Sequence, residues 1–332
     1  MSCVIPSLEP WPIGHDDVTA ARQRLRPYLV PTPLRSYPQL DEWIGGGVRV
    51  LVKHENHQPT NSFKIRNGLS FVTGLTPDEQ RRGVVAASTG NHGQGIAYGG
   101  KLLGVDVTVC VPAGNNPEKN AAMRAMGARV VEEGASYDDA VGVMTRIARD
   151  EGRVIAHSTN DARVIAGAAT MTAEMLEQAP ELDALVLAVG GGSQAVGALT
   201  VCRAVAPRIE VFGVQAAGAP AIHDSWHARQ RLTSPEARTF AEGVATRATY
   251  DFTFPALLEG LSGFVTVTDA EIAECMRVLL SATHNLVEGA GAVGLAGLMG
   301  LREQLAGGRV GVALSGGNLD AVTLGRIVRK EI

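Results

Sequence analysis

The sequence predicts an α/β protein of parallel sheets flanked by helices, and three observations carry that prediction. From Arg49 onward, short β-branched runs alternate with helical stretches, the order of repeated βαβ units. Runs such as Ala184–Val189 (ALVLAV) are apolar on both faces, as strands buried between two helical layers must be. Glycine is abundant, 39 of 332 residues, which fits many tight strand-to-helix turns. A chain of this length outgrows one small core and suits two lobes or one large α/β domain.

The expected strands are Val48–Val52, Val84–Ala87, Val107–Val111, Arg129–Val131, Val154–Ala156, Ala184–Val189, Val211–Gln215 and Val310–Leu314. The expected helices are Ile65–Thr73, His92–Leu103, Pro117–Met126, Tyr137–Asp150, Val164–Glu177, Gln194–Val205, Asp269–Thr283 and Leu319–Arg329. Two helix starts are marked by their chemistry. Asn116-Pro117-Glu118 puts proline at a first helical position with an acid beside it. Thr268-Asp269-x-Glu271 puts a cap and an acid before an apolar run. The polar stretch 217–247 carries two prolines and reads as a long surface excursion. Repeats and low-complexity segments are not evident, and no regulatory module is expected after Ile332.

Composition narrows the function. With 19% charged residues and a formal net charge of −4, the chain lacks the basic field that nucleic acid or an anionic membrane surface would require. Hydrophobic residues make up 45%, enough for a sizeable core, yet no run approaches the roughly 20 apolar residues of a membrane span. Met1–Pro12 has no apolar core of the kind a signal peptide needs. Cys3, Cys110, Cys202 and Cys275 have neither disulfide-framework nor metal-ligand spacing, so reduced thiols in the cytoplasm are expected.

Four glycine- or serine-rich elements stand at strand-to-helix junctions: Thr60–Arg66 (TNSFKIR), Ser88–Gly95 (STGNHGQG), Gly190–Ser193 (GGGS) and Ser315–Asn318 (SGGN). Ligands of parallel α/β sheets bind beyond the carboxyl ends of strands, so four such junctions point to one composite site. Gly190–Ser193 follows a buried strand and opens a helix, a backbone arrangement suited to an anion. An unliganded glycine turn and a dinucleotide fingerprint, Gly190-x-Gly192-x-x-Ala195, are its rival readings. The fingerprint expects an acid at the end of the next strand, where Gln215 stands. Lys64 is the only lysine inside one of the four elements. Burial or a cationic neighbour, Arg66 for instance, would lower its pKa and let it form an imine with an aldehyde. A solvated surface charge is the ordinary reading of a lysine.

Thr60–Asn67 (TNSFKIRN) resembles the S-F-K-x-R element of the threonine/serine dehydratase and serine racemase family, the β-family (fold type II) of pyridoxal-5′-phosphate (PLP) enzymes. Ser88–Gly95 resembles its S-x-G-N-H loop, Gly190–Ser193 its tetraglycine loop, Ser315–Asn318 its C-terminal loop and Val30–Leu34 its T-P-L segment. The main elements keep the family order across most of the chain. The resemblance implies that Lys64 carries the cofactor PLP as a Schiff base and then takes the substrate's α-proton. It implies that Phe63 packs on the cofactor ring, that Asn91 bonds its phenolic oxygen, and that Gly190, Gly191, Gly192 and Ser193 cradle its phosphate. Ser315 would face the pyridine nitrogen, and Glu288 matches a family glutamate near the cofactor or caps a helix. Ser88, Thr89, Asn91 and His92 would hold the substrate carboxylate. Ser62 reads as a helix cap or as a hydroxyl near the reacting substrate, and Thr89 stands where the racemase branch has a serine acid/base.

Several positions depart from the family. Ser193 replaces the fourth glycine, and Asn61 and Asn67 stand where glycine is usual. Thr89 adds a β-branch that disfavours racemisation. Gln215, Ala219 and Ala221 replace the carboxylates of the metal-binding branch, so no metal is expected there. His54/His57 and His223/His227 have helical spacing but no third ligand. The resemblance thus implies a two-lobed enzyme related in fold to the tryptophan synthase β chain, with residues 1–80 and 156–332 as the large domain and 81–155 as the small one. The expected activity is β-elimination from threonine, serine or a bulkier 3-hydroxy amino acid, giving a 2-keto acid and ammonia. The expected partners are a small amino-acid substrate and a second copy in a homodimer. β-Replacement or racemisation on the same fold is the alternative, and a non-catalytic cofactor- or nucleotide-binding protein is the third reading.

Overall fold

The computed structural model describes residues 11–332; Cys3 and most of the segment read for a signal peptide lie outside the described residues. Among the described residues, ten strands form two sheets. In chain order they are β1 (Leu34–Ser36), β2 (Arg49–His54), β3 (Val84–Ala87), β4 (Val107–Val111), β5 (Arg129–Glu132), β6 (Val154–Ile155), β7 (Ala184–Ala188), β8 (Glu210–Ala216), β9 (Gly263–Val267) and β10 (Arg309–Leu314). The six-stranded sheet has the order β1-β2-β10-β7-β8-β9 and the four-stranded sheet the order β5-β4-β3-β6. Every pairing is parallel except that of the edge strand β1 with β2.

Helices cover both faces of the larger sheet. On one side the helices His15–Leu25, Ala162–Gln178 and Ser193–Val205 bury Val18, Ile165, Met171, Val196 and Leu199 with Leu185 and Leu187 of β7. On the other side the helices Asp269–Thr283 and Gly289–Leu301 bury Ile272, Met276, Val293 and Leu298 with Val186, Val214 and Val312. Strands covered on both faces must be apolar throughout, the reason ALVLAV reads as it does. The smaller sheet has its own core, with Ile96 and Met123 on one face and Val143, Met144 and Ile147 on the other.

Every strand expected from the sequence forms, with ends displaced by two residues at most. Both marked helix starts form as their chemistry requires. Asn116 accepts from the amides of Glu118 and Lys119, and Thr268 and Glu271 make a reciprocal capping box. The excursion 217–247 is more ordered than its composition implies. It holds the helix Ala221–Ala228 and a short 3-10 turn, Glu242–Val244. Gln215 explains the first of these, because its side-chain oxygen accepts the amides of Ile222 and His223 while its nitrogen donates to Thr246. Among the described residues no helix is long and apolar enough to cross a membrane.

The helix Lys64–Thr73 lies between the two sheets and is clasped by glycines. Gly68 faces the backbone of Gly95 and Ile96 in the helix Asn91–Leu103, and Gly95 in turn faces the carbonyl of Lys64. Gly167, in the helix Ala162–Gln178, lies against the carbonyl of Arg66. Only glycine allows such backbone approach. Arg66, two residues beyond the lysine, is fully buried and makes bidentate bonds to both Glu55 and Glu174 at 2.7–2.9 Å. Lys53 joins Glu174 at 2.9 Å, and Thr32, from the T-P-L segment, donates to Glu55 at 2.6 Å. Two cations and two carboxylates thus balance in the interior, which a buried ionic cluster requires.

Candidate active site

The loops read as site elements meet at one place. Phe63 donates its amide to the Ser315 carbonyl (3.0 Å), and Gly317 donates to the Asn61 carbonyl (2.9 Å). Ser62 and Gly316 are bridged antiparallel, so the lysine loop is stitched to the C-terminal loop. Across from them, the Lys64 amine donates to Ser193 Oγ at 3.3 Å, on the first turn of the helix Ser193–Val205. Residues 129 positions apart in sequence are thereby in contact. The same amine sits 4.8 Å from the centroid of the buried Phe63 ring. Desolvation pushes the Lys64 amine down to about 8, against the opposing charge of Glu288. Arg66 has no part in this, since its guanidinium is spent on Glu55 and Glu174.

The glycine turn is a backbone cradle with no room for side chains. A Cβ on Gly190 would collide with the carbonyl of Gly243, one on Gly191 with the Thr159 hydroxyl, and Gly192 has φ +97°. Thr253 fixes the turn from outside by donating to the Gly191 carbonyl at 2.6 Å. Helix N-terminal amides and a bare glycine turn make an anion site, and a depressed lysine amine stands over it. That combination fits a molecule carrying both a phosphate and an aldehyde.

Opposite the turn, a chain of side-chain amides ends on a carboxyl group. Asn318 donates to Asn91 Oδ1 (2.7 Å), and Asn91 donates to Glu288 Oε1 (2.6 Å). Glu288 occupies the cap position of the helix Gly289–Leu301, but its carboxylate bonds Asn91 and caps nothing. Burial raises its pKa to about 7. Ser315 is buried, with its hydroxyl 3.5 Å from the Ala290 carbonyl.

The Ser88–Gly95 loop leads into the helix Asn91–Leu103. Ser88 Oγ accepts the amides of Gly90 (3.3 Å) and Gly93 (2.9 Å), leaving the amides of Asn91 and His92 as the unpaired donors of the first turn. The His92 ring turns inward, within 3.0 Å of the Ala156 carbonyl, and burial drives its pKa to about 4, so it is neutral. The Thr89 carbonyl accepts from Asn115. Ser62 Oγ accepts the Lys64 amide at 3.3 Å, which places this hydroxyl in the turn that opens the lysine helix.

Sequence reading missed Thr159, Thr253 and Gly243, which shape the glycine turn from remote segments without a motif of their own. It also gave no role to Asn318, although SGGN contains it, or to Lys119. The Lys119 side chain lies 3.4 Å from where a Gly90 Cβ would stand and pairs with Glu242 of the excursion at 2.5 Å. The histidine pairs stay out of the site. His54 stacks on His57 and bonds Tyr37, while His227 bonds the Phe264 carbonyl. Among the described residues no cluster of three or more His, Cys, Asp or Glu side chains could hold a metal.

Comparison with known proteins gives the family. The family model described as "Pyridoxal-phosphate dependent enzyme" matches residues 25–316. An L-threonine ammonia-lyase of Thermotoga maritima is 34% identical over 96% of this chain and 78% of its own length. An L-threo-3-hydroxyaspartate ammonia-lyase of a Pseudomonas species is 33% identical over 92% of this chain and 96% of its own. The solved structure of maize serine racemase superposes with a TM-score of 0.91 at 27% identity, covering 97% of this chain and 98% of that one. With its lysine, glycine turn and both sheets inside the matched region, this chain belongs to the pyridoxal-phosphate-dependent enzymes.

Proposed function

We propose that the protein is a PLP-dependent ammonia-lyase that removes the β-hydroxyl and amino groups of a small 3-hydroxy amino acid, such as threonine, serine or a bulkier analogue, yielding a 2-keto acid and ammonia. One observation carries the reading: a lysine amine depressed to about 8 stands 3.3 Å from Ser193 on a side-chain-free glycine turn. When bound, the cofactor supplies an aldehyde for that amine and a ring that draws electrons from the substrate's α-carbon. Lys64 then acts as the base that takes the α-proton, a task its lowered pKa suits near neutral pH. The amides of Asn91 and His92 bind the substrate carboxylate at a helix N-terminus, with Ser88 and Thr89 alongside. Gly190, Gly191, Gly192 and Ser193 hold the phosphate, and Phe63 lines the ring. Asn91, oriented by Asn318 and Glu288, holds the phenolic oxygen. Ser315, buried with its hydroxyl 3.5 Å from the Ala290 carbonyl, would offer the pyridine nitrogen a neutral hydroxyl and no carboxylate, an environment that would suit prompt loss of a β leaving group.

The test is product analysis on a panel of 3-hydroxy amino acids. Keto acid and ammonia in equal amounts are expected, and products that keep the amino nitrogen would refute the reading. Lys64→Ala should abolish turnover and the imine absorbance at about 410–420 nm. Racemisation is the second reading, favoured by the likeness to maize serine racemase. The β-branched Thr89 weighs against it, and formation of the D-enantiomer would establish it. The same proposal takes 81–155 as the small domain, supported by the origin of all four strands of the second sheet between Val84 and Ile155. It also includes a homodimer acting in the cytoplasm, and no nucleic-acid contacts, the last supported by the weak net charge of −4.

A further inference from the structure

Two positions at which the resemblance leads one to expect glycine touch each other. Asn67 and Ser193 lie 126 residues apart. Asn67 is fully buried in the lysine helix, and its side-chain nitrogen donates to Ser193 Oγ at 3.4 Å. The Lys64 amine donates to the same oxygen at 3.3 Å. A serine hydroxyl accepts two bonds and donates one. Both acceptor positions of Ser193 are therefore filled, and among the described residues no group accepts its proton. Asn67 Oδ1 is likewise buried without a partner. A buried donor left over at the mouth of an anion-binding turn points to an anion outside the protein.

We infer that Asn67 is a positioning residue for the cofactor phosphate, acting through Ser193. Its amide N–H occupies a lone pair of the serine oxygen and so turns the serine proton toward the phosphate. When the Lys64 amine leaves Ser193 for the aldehyde, the Asn67 bond still sets the direction of that proton. The pair adds an oriented hydroxyl to the backbone amide that position 193 keeps. This rests on the cofactor reading above and adds a residue to it.

The experiment compares wild type, Asn67→Ala, Asn67→Asp, Ser193→Gly and the double variant Asn67→Ala/Ser193→Gly. Dissociation constants are measured for PLP and for pyridoxal, which has the aldehyde but no phosphate. A hydrogen bond to a charged group predicts at least about tenfold weaker PLP binding in Ser193→Gly and a loss of several-fold or more in Asn67→Ala. Asparagine loss should add nothing in the Ser193→Gly background, because the two act in series. Asn67→Asp keeps the shape but cannot donate, and it should bind PLP more weakly than Asn67→Ala. Pyridoxal binding should change less than about twofold throughout, since the lost bond is to phosphate. Equal weakening for PLP and pyridoxal would mean a merely structural role and overturn the inference. Independent, multiplying effects of the two substitutions would overturn it too, as would an Asn67→Asp protein that holds PLP like wild type. Failure of the wild type itself to form an imine with either aldehyde would instead overturn the cofactor reading, and this inference with it.

Discussion

Gly68→Ala is the substitution whose consequence follows most directly from the fold. A Cβ at this position would stand 2.6 Å from the Ile96 nitrogen and nearer still to the Gly95 carbonyl. Ordinary contact starts at 3.4 Å, so the lysine helix and the helix Asn91–Leu103 must part by about 1 Å. Both obstacles are backbone, so no side chain can swing aside. The same helix is held on a second side, where Gly167 would tolerate no Cβ against the Arg66 carbonyl. Overpacking of this kind costs about 1–3 kcal/mol, and the absence of any yielding atom places it toward the upper end. The catalytic cost should be larger. Lys64 travels with one helix and the loop proposed to bind the carboxylate with the other, and a 1 Å misplacement costs about 100-fold in rate. Gly142→Ala is the internal control. That glycine is exposed in the helix Tyr137–Glu151 with nothing within 4 Å of its Cβ position, so alanine should stabilise by about 0.5–1 kcal/mol. The assays are denaturant unfolding and kcat/KM for keto-acid release. A Gly68→Ala enzyme with wild-type kcat/KM would refute the clasp, as would one that loses activity only in proportion to the fraction unfolded.

Two further outcomes are expected. The apoenzyme should react with PLP at a rate that rises with pH to a midpoint near about 8 and then levels, because protonated amine does not attack and the Lys64 amine is pushed down to about 8 from 10.5. At pH 7 this gives roughly 300 times more neutral amine than an ordinary lysine has; a rate still climbing tenfold per unit above pH 9.5 in a stopped-flow pH series would disprove the shift. Glu55→Ala should cost about 3–5 kcal/mol in urea unfolding, because it leaves Arg66 buried with one carboxylate fewer; a midpoint within experimental scatter of wild type would contradict the charge balance drawn for that cluster.

The parallel strands were legible because a strand buried on both faces is a short, mostly apolar and β-branched run, bounded here by turn residues. Elements whose pattern carries no period were not. The helix Gly289–Leu301 (GAGAVGLAGLMGL) is apolar all round and contains five glycines, counting its first residue. Neither amphipathicity nor propensity announces it. It forms because its glycines let it lie close on the sheet, with Gly294 against the Val186 carbonyl and Gly297 against the Val214 side chain. The edge strand Leu34–Ser36 is too short for alternation to register, and β9 gains its partner only from the register of β8. The site divides in the same way. Lys64, Asn91, the glycine turn and Ser315 sit at helix starts or just past strand ends, where the local chemistry is written in consecutive residues. Thr159, Thr253, Gly243 and Lys119 reach the site from segments with no chemistry of their own, and only the folded chain brings them there.

The glycines that this chain keeps and those it gives up obey one physical rule. Gly190 and Gly191 have no room for a Cβ, and Gly192 takes φ +97°, a conformation hostile to other residues; all three are retained. Position 193 begins a helix, where an L-residue meets no penalty, and there the chain adds a serine hydroxyl to the backbone amide. Asn67 lies inside a helix and is likewise free of any need for glycine. Asn61 does adopt a left-handed conformation, φ +53°, and asparagine is among the few non-glycine residues that enter it readily. Its side chain then donates to Asn318 at 3.4 Å, joining the amide chain that ends on Glu288. Each departure thus meets the backbone demand of its position and adds a polar group facing the site.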